Sequence, residues 1–210
     1  LDSTADDAAQ DTAPEAPQDV APEPPPAQTI TLRPNAGLEG DGFLASPILC
    51  QTQVWDYYQQ SSYKAIHVGR DIPCSAEATY RAFLRFGLQS LSGAFVQSAM
   101  LRFELASKTE PRAGVNLLEI QDFGTLQFSD WSQPTLRNLG AAFDTNTGIG
   151  WITVDVTESV ADSIAKGVVA FQLRYGDESE DPQGKSRWYG ITAAEEGASR
   201  APQLVITFVP

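Results

Sequence analysis

Six short segments in which apolar and polar residues alternate constrain this chain more than any other feature. In order they are TYRAFLRF (79–86), AMLRFEL (99–105), VNLLEIQDF (115–123), WITVDV (151–156), VVAFQLRY (168–175) and PQLVITFV (202–209). Successive strand side chains point to opposite faces, so period-2 alternation marks a sheet with one face in a core. In 79–86, Tyr80, Ala82, Leu84 and Phe86 share one face, while Arg81, Phe83 and Arg85 share the other. In 99–105, Ala99, Leu101, Phe103 and Leu105 point inward, and Arg102 and Glu104 point outward. TITLRP (29–34), GFLAS (42–46) and KAIHVG (64–69) read as shorter strands. One stretch reads as a helix, TESVADSIAKG (157–167), where Val156, Val160 and Ile164 form an apolar stripe. Asp155 with Glu158 resembles a capping box, and Gly167 supplies the stop. Short strands, Gly/Pro/Asn turns and one helix predict an all-β chain, an antiparallel jelly-roll-like β-sandwich. The stretches 47–63, 124–150 and 176–201 read as long connections.

Residues 1–28 differ from the rest. They hold six prolines and seven acidic residues, with no basic or aromatic residue. Such a segment cannot bury enough apolar surface to offset its ordering entropy. The expectation is a disordered, extended linker or stalk over 1–28 and a β-sandwich domain over 29–210. Of the formal net charge of −13, the first 28 residues carry −7, which leaves −6 for the remainder. An acidic surface without a basic patch argues against nucleic acid and anionic membranes as partners, and favours neutral over polyanionic polysaccharides. No run reaches the length of a transmembrane helix. An acidic Ala/Pro stalk commonly follows a removed signal or lipid-anchor segment, so a processed extracellular or cell-surface protein is expected, with lipid anchoring upstream of Leu1 as one form of it.

The two cysteines, Cys50 and Cys74, have a spacing that suits no zinc pattern. In an exported protein they read as one disulfide, which stabilises by roughly 3 kcal/mol on the loop-entropy model. The alternative is two separately buried thiols. A thiol assay on denatured, unreduced protein is expected to find none; two titratable thiols rule the bridge out.

The order of segments resembles a known family. TYRAFLRFGLQSL, AFVQSAMLRFEL, the loop tryptophan of FSDWSQPTL, GWITVDVTESVADSIAKG, VVAFQLRY and RWYGITAAEEGASRAPQLVITF follow one another as in the DNRLRE-type extracellular domain. That domain is related to carbohydrate-binding modules found beside polysaccharide-degrading enzymes. The resemblance covers about residues 29–209, and its most specific parts are Asp155–Thr157 and the closing SRAPQLVITF. It implies a β-sandwich, export, and sugar binding or cell-surface association.

Candidate site residues follow from chemistry. Trp55, Tyr57, Tyr58 and Tyr63 lie among amides and carboxylates, as in a sugar site where flat rings meet the apolar face of a pyranose and polar groups bond its hydroxyls. A disulfide at the base of that loop would lower the cost of ordering it. Trp131, beside a turn proline, is the second candidate, with a core plug as its alternative. Trp151 and Trp188 read as structural. Asp177 and Asp181, within an acidic run, and Asp41 in GLEGDG are calcium candidates, with a solvated turn as the plainer reading. No other cofactor is expected. His67 is the lone histidine, and there is no G-x-S-x-G elbow, so no triad or zinc site can be assembled. The reading is a non-catalytic module for a polysaccharide or cell-surface glycan. The alternative is a structural or adhesive surface subunit that self-associates through a sheet edge or its first strand.

Overall fold

A computed structural model describes residues 23, 25–35, 37–46, 54–55, 65–71, 78–178 and 184–210, with 46, 54 and 55 as backbone. The strands are β1 (Gln28–Leu32), β2 (Asp41–Ser46), β3 (Val54–Trp55), β4 (Ala65–Asp71), β5 (Ala78–Gly87) and β6 (Phe95–Thr109). They continue with β7 (Val115–Ile120), β8 (Thr135–Phe143), β9 (Gly150–Asp155), β10 (Val168–Tyr175), β11 (Arg187–Thr192) and β12 (Gln203–Val209). Helix α1 (Thr157–Ser163) lies between β9 and β10 and runs into a 3-10 turn.

The strands form one antiparallel sheet in the order β1-β12-β6-β11-β4-β5-β10-β7-β8, with β9 on β6 and the β2–β3 pair on β5. The sheet curls because two long strands change neighbours. β6 pairs β12 over Phe95–Arg102 and β11 over Leu105–Thr109. β5 pairs β4 at Ala78–Tyr80 and β10 at Ala82–Gly87. Wrapped this way, the sheet encloses its own core as a β-sandwich. β1 closes against β12 of the same chain, from Gln28↔Phe208 to Leu32↔Leu204.

Alternation places the core as expected. Leu84 and Phe86 of β5, Phe171 and Leu173 of β10, Leu101 and Phe103 of β6, and Leu204 and Ile206 of β12 meet inside the curl. A second, smaller core lies on the opposite face of β5 and β10, where Phe83 packs with Leu44, Leu118, Phe123 and Leu126. The segment 121–134 covers that face. Two buried tyrosines tie the 110–114 turn to the core: the Tyr175 hydroxyl accepts from the amides of Arg112 and Ala113, and the Tyr189 hydroxyl donates to the Ala113 carbonyl.

Three connections contain strands that the alternation did not reveal. β8 lies inside 124–150 as a sheet edge, mostly exposed, with Leu136 left 54% accessible. An edge strand with little to bury carries no apolar alternation. β11 lies within 176–201 between β6 and β4, with five of its six residues buried. A strand covered on both faces loses its period-2 signal. β3, within 47–63, has only two residues.

The capping box is also corrected. The helix N-cap is Val156, which has no side-chain acceptor. Asp155, one residue earlier, accepts from the Thr157 amide (2.9 Å) and hydroxyl (2.6 Å), and Glu158 turns outward to Arg137 at 3.2 Å. Those hydrogen bonds hold the Asp155 carboxyl below its usual range. Gly167 does end the helical segment, in the left-handed conformation at φ 72°.

Candidate ligand-binding site

The outward face of β5 and β10 bears a polar cluster. Arg81 lies opposite Leu44 of β2, and Arg174 follows Leu173, the partner of the neighbouring Ala82. The two guanidinium groups are therefore adjacent. The Arg81 guanidinium donates to both Glu178 carboxylate oxygens, from Nε at 2.9 Å and Nη2 at 2.6 Å. Its Nη1 donates to the Trp131 carbonyl at 2.6 Å, and its carbon lies 4.0 Å from the Trp131 ring centroid. Arg174 donates to Gln172 Oε1 from Nε and Nη2, at 3.2 and 2.7 Å. Burial, and then repulsion from Arg81, lower the pKa of Arg174. Gln172 is fully buried, and its Nε2 has no acceptor among the described residues.

Trp131 is set by its turn. Asp130 accepts from the Gln127 amide at 2.7 Å and the Gln133 side-chain amide at 2.8 Å, which clamps the 3-10 turn Phe128–Ser132. The ring then packs half-buried against the second core, with Arg81 over it. Cation–π contact and bidentate pairing together bring 121–134, β5 and the end of β10 to one place.

Several described chain ends meet at the same end of the sheet. Ser46 pairs Thr79, Asp71 pairs Ala78, and Glu178 is held by Arg81. The backbone of Trp55 pairs with Phe43, one strand from β5. Tyr57, Tyr58, Tyr63, Cys50, Cys74 and Asp181 lie outside the described residues. Asp41 is buried, and one of its oxygens accepts from the Ala194 amide at 2.7 Å. Asp177 is exposed. Among the described residues, no three His, Cys, Asp or Glu side chains gather as metal ligands would.

His67 is buried and stacked between Trp188 (4.6 Å between ring centroids) and Phe43 (5.4 Å). Trp188 is thus structural, as expected. Trp151 is different: it is 39% exposed, with Arg102 at 5.1 Å from its ring. The signal was present in WITVDV, where inward Ile152 and Val154 place Trp151 on the solvent face. Arg85, the other outward arginine of β5, pairs with Asp122 at 2.5 Å; that contact raises the arginine's pKa and lowers the aspartate's.

The fold is a β-sandwich with aromatic and guanidinium groups on the outward face of β5 and β10. The sequence profile of carbohydrate-binding module family 96 matches residues 60–208, and the chain belongs to that family. No curated protein matches the chain. The kind of partner is therefore a glycan. Among the described residues, no helix is long and apolar enough to cross a membrane.

Proposed function

We propose that this protein is a non-catalytic, extracellular or cell-surface module that holds a polysaccharide through the loop end around Arg81. The family match over residues 60–208 carries the glycan-binding reading. The arrangement of Arg81, Arg174, Glu178 and Trp131 supports the location, since fixed guanidinium and carboxylate groups beside aromatic rings suit hydroxyl-rich ligands. In this reading Trp55, Tyr57, Tyr58 and Tyr63 supply stacking surfaces, Trp131 buttresses them, and a Cys50–Cys74 bridge restrains their loop. The resemblance to DNRLRE-type domains supports an exported setting. The acidic segment 1–28 serves as a tether to the rest of a surface assembly, with the sandwich as a separate unit. The pairing of β1 with β12 of its own chain favours a self-contained module over a subunit that lends its first strand to a neighbour.

A glycan array on the intact chain should return at least one positive polysaccharide. The double variant Trp55→Ala/Tyr57→Ala should bind it at least tenfold more weakly with an unchanged melting temperature. Equal binding by the variant removes this loop from the site.

A further inference from the structure

The far end of β10 opens onto a concave feature. A cleft of about 390 Å³ opens between the end of β7, the start of β10, β8 and the turn after α1. Its size falls within the range of small-ligand pockets, near the lower end. Leu136 and the half-buried Val168 supply apolar surface, and Glu119, Gln121, Ser163 and Lys166 supply polar groups. It lies roughly 20 Å along the strand from Arg174, at about 3.3 Å per residue.

Glu119 is the unusual member of this set. It is only 4% exposed, and a buried carboxylate ordinarily accepts hydrogen bonds. The nearest cation facing it, Arg137 Nε, stays at 3.8 Å, beyond hydrogen-bond reach. That guanidinium is held away by the helix, with Nη1 on Glu158 at 3.2 Å and Nη2 on Asp162 at 2.6 Å. Lys166 is exposed and forms no ion pair among the described residues. The cleft thus presents a carboxylate whose ion-pair partner stands beyond hydrogen-bond reach, an ammonium without an ion pair among the described residues and an apolar wall that ends in the half-exposed Leu136.

We propose that this cleft is a second saccharide subsite that takes one terminal sugar ring. A vicinal hydroxyl pair bridges Glu119 and Lys166: one hydroxyl donates to the carboxylate and the other accepts from the ammonium. The apolar face of the ring rests on Val168 and Leu136. A cleft of this size closes around a single ring, so it reads chain ends, whereas the loop end of the sandwich can hold the interior of a chain. This inference rests on the glycan-binding reading of the module but not on the loop to which that reading assigns the first site.

The test is an amide NMR titration of the isotope-labelled full chain with glucose, galactose, mannose, xylose and glucuronic acid in turn. At least one sugar should shift the amides of 119–122 and 166–170 saturably. Glu119→Gln should weaken that binding at least tenfold. Lys166→Ala, at an exposed position that tolerates substitution, should do the same and keeps the test sound if the first variant fails to fold. If no sugar moves these amides, or both variants titrate like the parent, the subsite is overturned. Shifts confined to the surroundings of Arg81 and Trp131 overturn the cleft and leave the loop site standing. Cleft shifts, together with undiminished glycan binding by Trp55→Ala/Tyr57→Ala, do the reverse.

Discussion

Phe83→Ala should cost about 3–5 kcal/mol of folding free energy, the usual range for removing a fully buried phenylalanine. Phe83 has no accessible surface, and it stands edge-on to Phe123 with ring centroids 5.9 Å apart. It is the centre of the outer core, where Leu44, Leu118, Ile120 and Leu126 converge from different parts of the chain. The inner core does not touch the cavity left behind, so the loss should be local first. Segment 121–134 keeps only a few other ties, among them the Leu126 amide to the Leu38 carbonyl at 2.7 Å and the Arg81 bond to Trp131. Amide exchange should therefore rise in 121–134 before it rises in β6 or β12. Urea denaturation reads the energy, and the melting temperature should fall by about 10 °C or more. A loss under about 1 kcal/mol would show that this segment does not pack on the sheet as described.

Acidification should destabilise the sandwich through His67. Burial lowers the pKa of its imidazole to about 4, against 6.5 unperturbed, and the nearby Asp71 opposes this only in part. The folded protein therefore holds a neutral ring where the unfolded chain binds a proton. Stability is complete above about pH 6.5 and is lost progressively as the pH falls toward 4. The difference in pKa corresponds to about 3 kcal/mol across that window. The physical source is the stack between Trp188 and Phe43, which leaves no room to hydrate an imidazolium. His67→Phe keeps a flat ring in the stack and removes the titration. Melting temperatures from pH 7 to 4 should fall more steeply for the parent than for this variant. Parallel curves would mean that His67 is hydrated in the folded state.

The strands whose outward residues are polar were legible at once. In β5 and β6 the exchange of Arg81, Arg85, Arg102 and Glu104 with Leu84, Phe86, Leu101 and Phe103 identifies both the strand and its buried face. The edge strand β8 and the enclosed strand β11 gave no such signal, since one has little to bury and the other is covered on both sides. The candidate site was legible as chemistry but not as geometry. Trp131 could be singled out as a loop tryptophan. Its clamp by Asp130 is local, but its place under Arg81 depends on a contact between residues 50 apart in the chain. Glu178 looked like part of a solvated acidic run, yet it neutralises an arginine 97 residues away. Glu119 reads as one acidic residue in an apolar strand, and nothing near it in sequence announces the cleft.

By itself the sequence determined which side chains face inward, because a strand's two-residue period is a local property of the backbone. It also determined that the chain would be an all-β sandwich with one helix, because each alternating face needs another face to cover it. Only the tertiary structure decided the order of strands, since pairing is a long-range choice that local pattern does not encode. It also decided where groups of distant segments come together: Arg81 with Glu178 and Trp131 at one end of β10, and the cleft lined by Glu119 and Lys166 at the other. A binding site is a coincidence of such groups in space, and the curl of the sheet produces it.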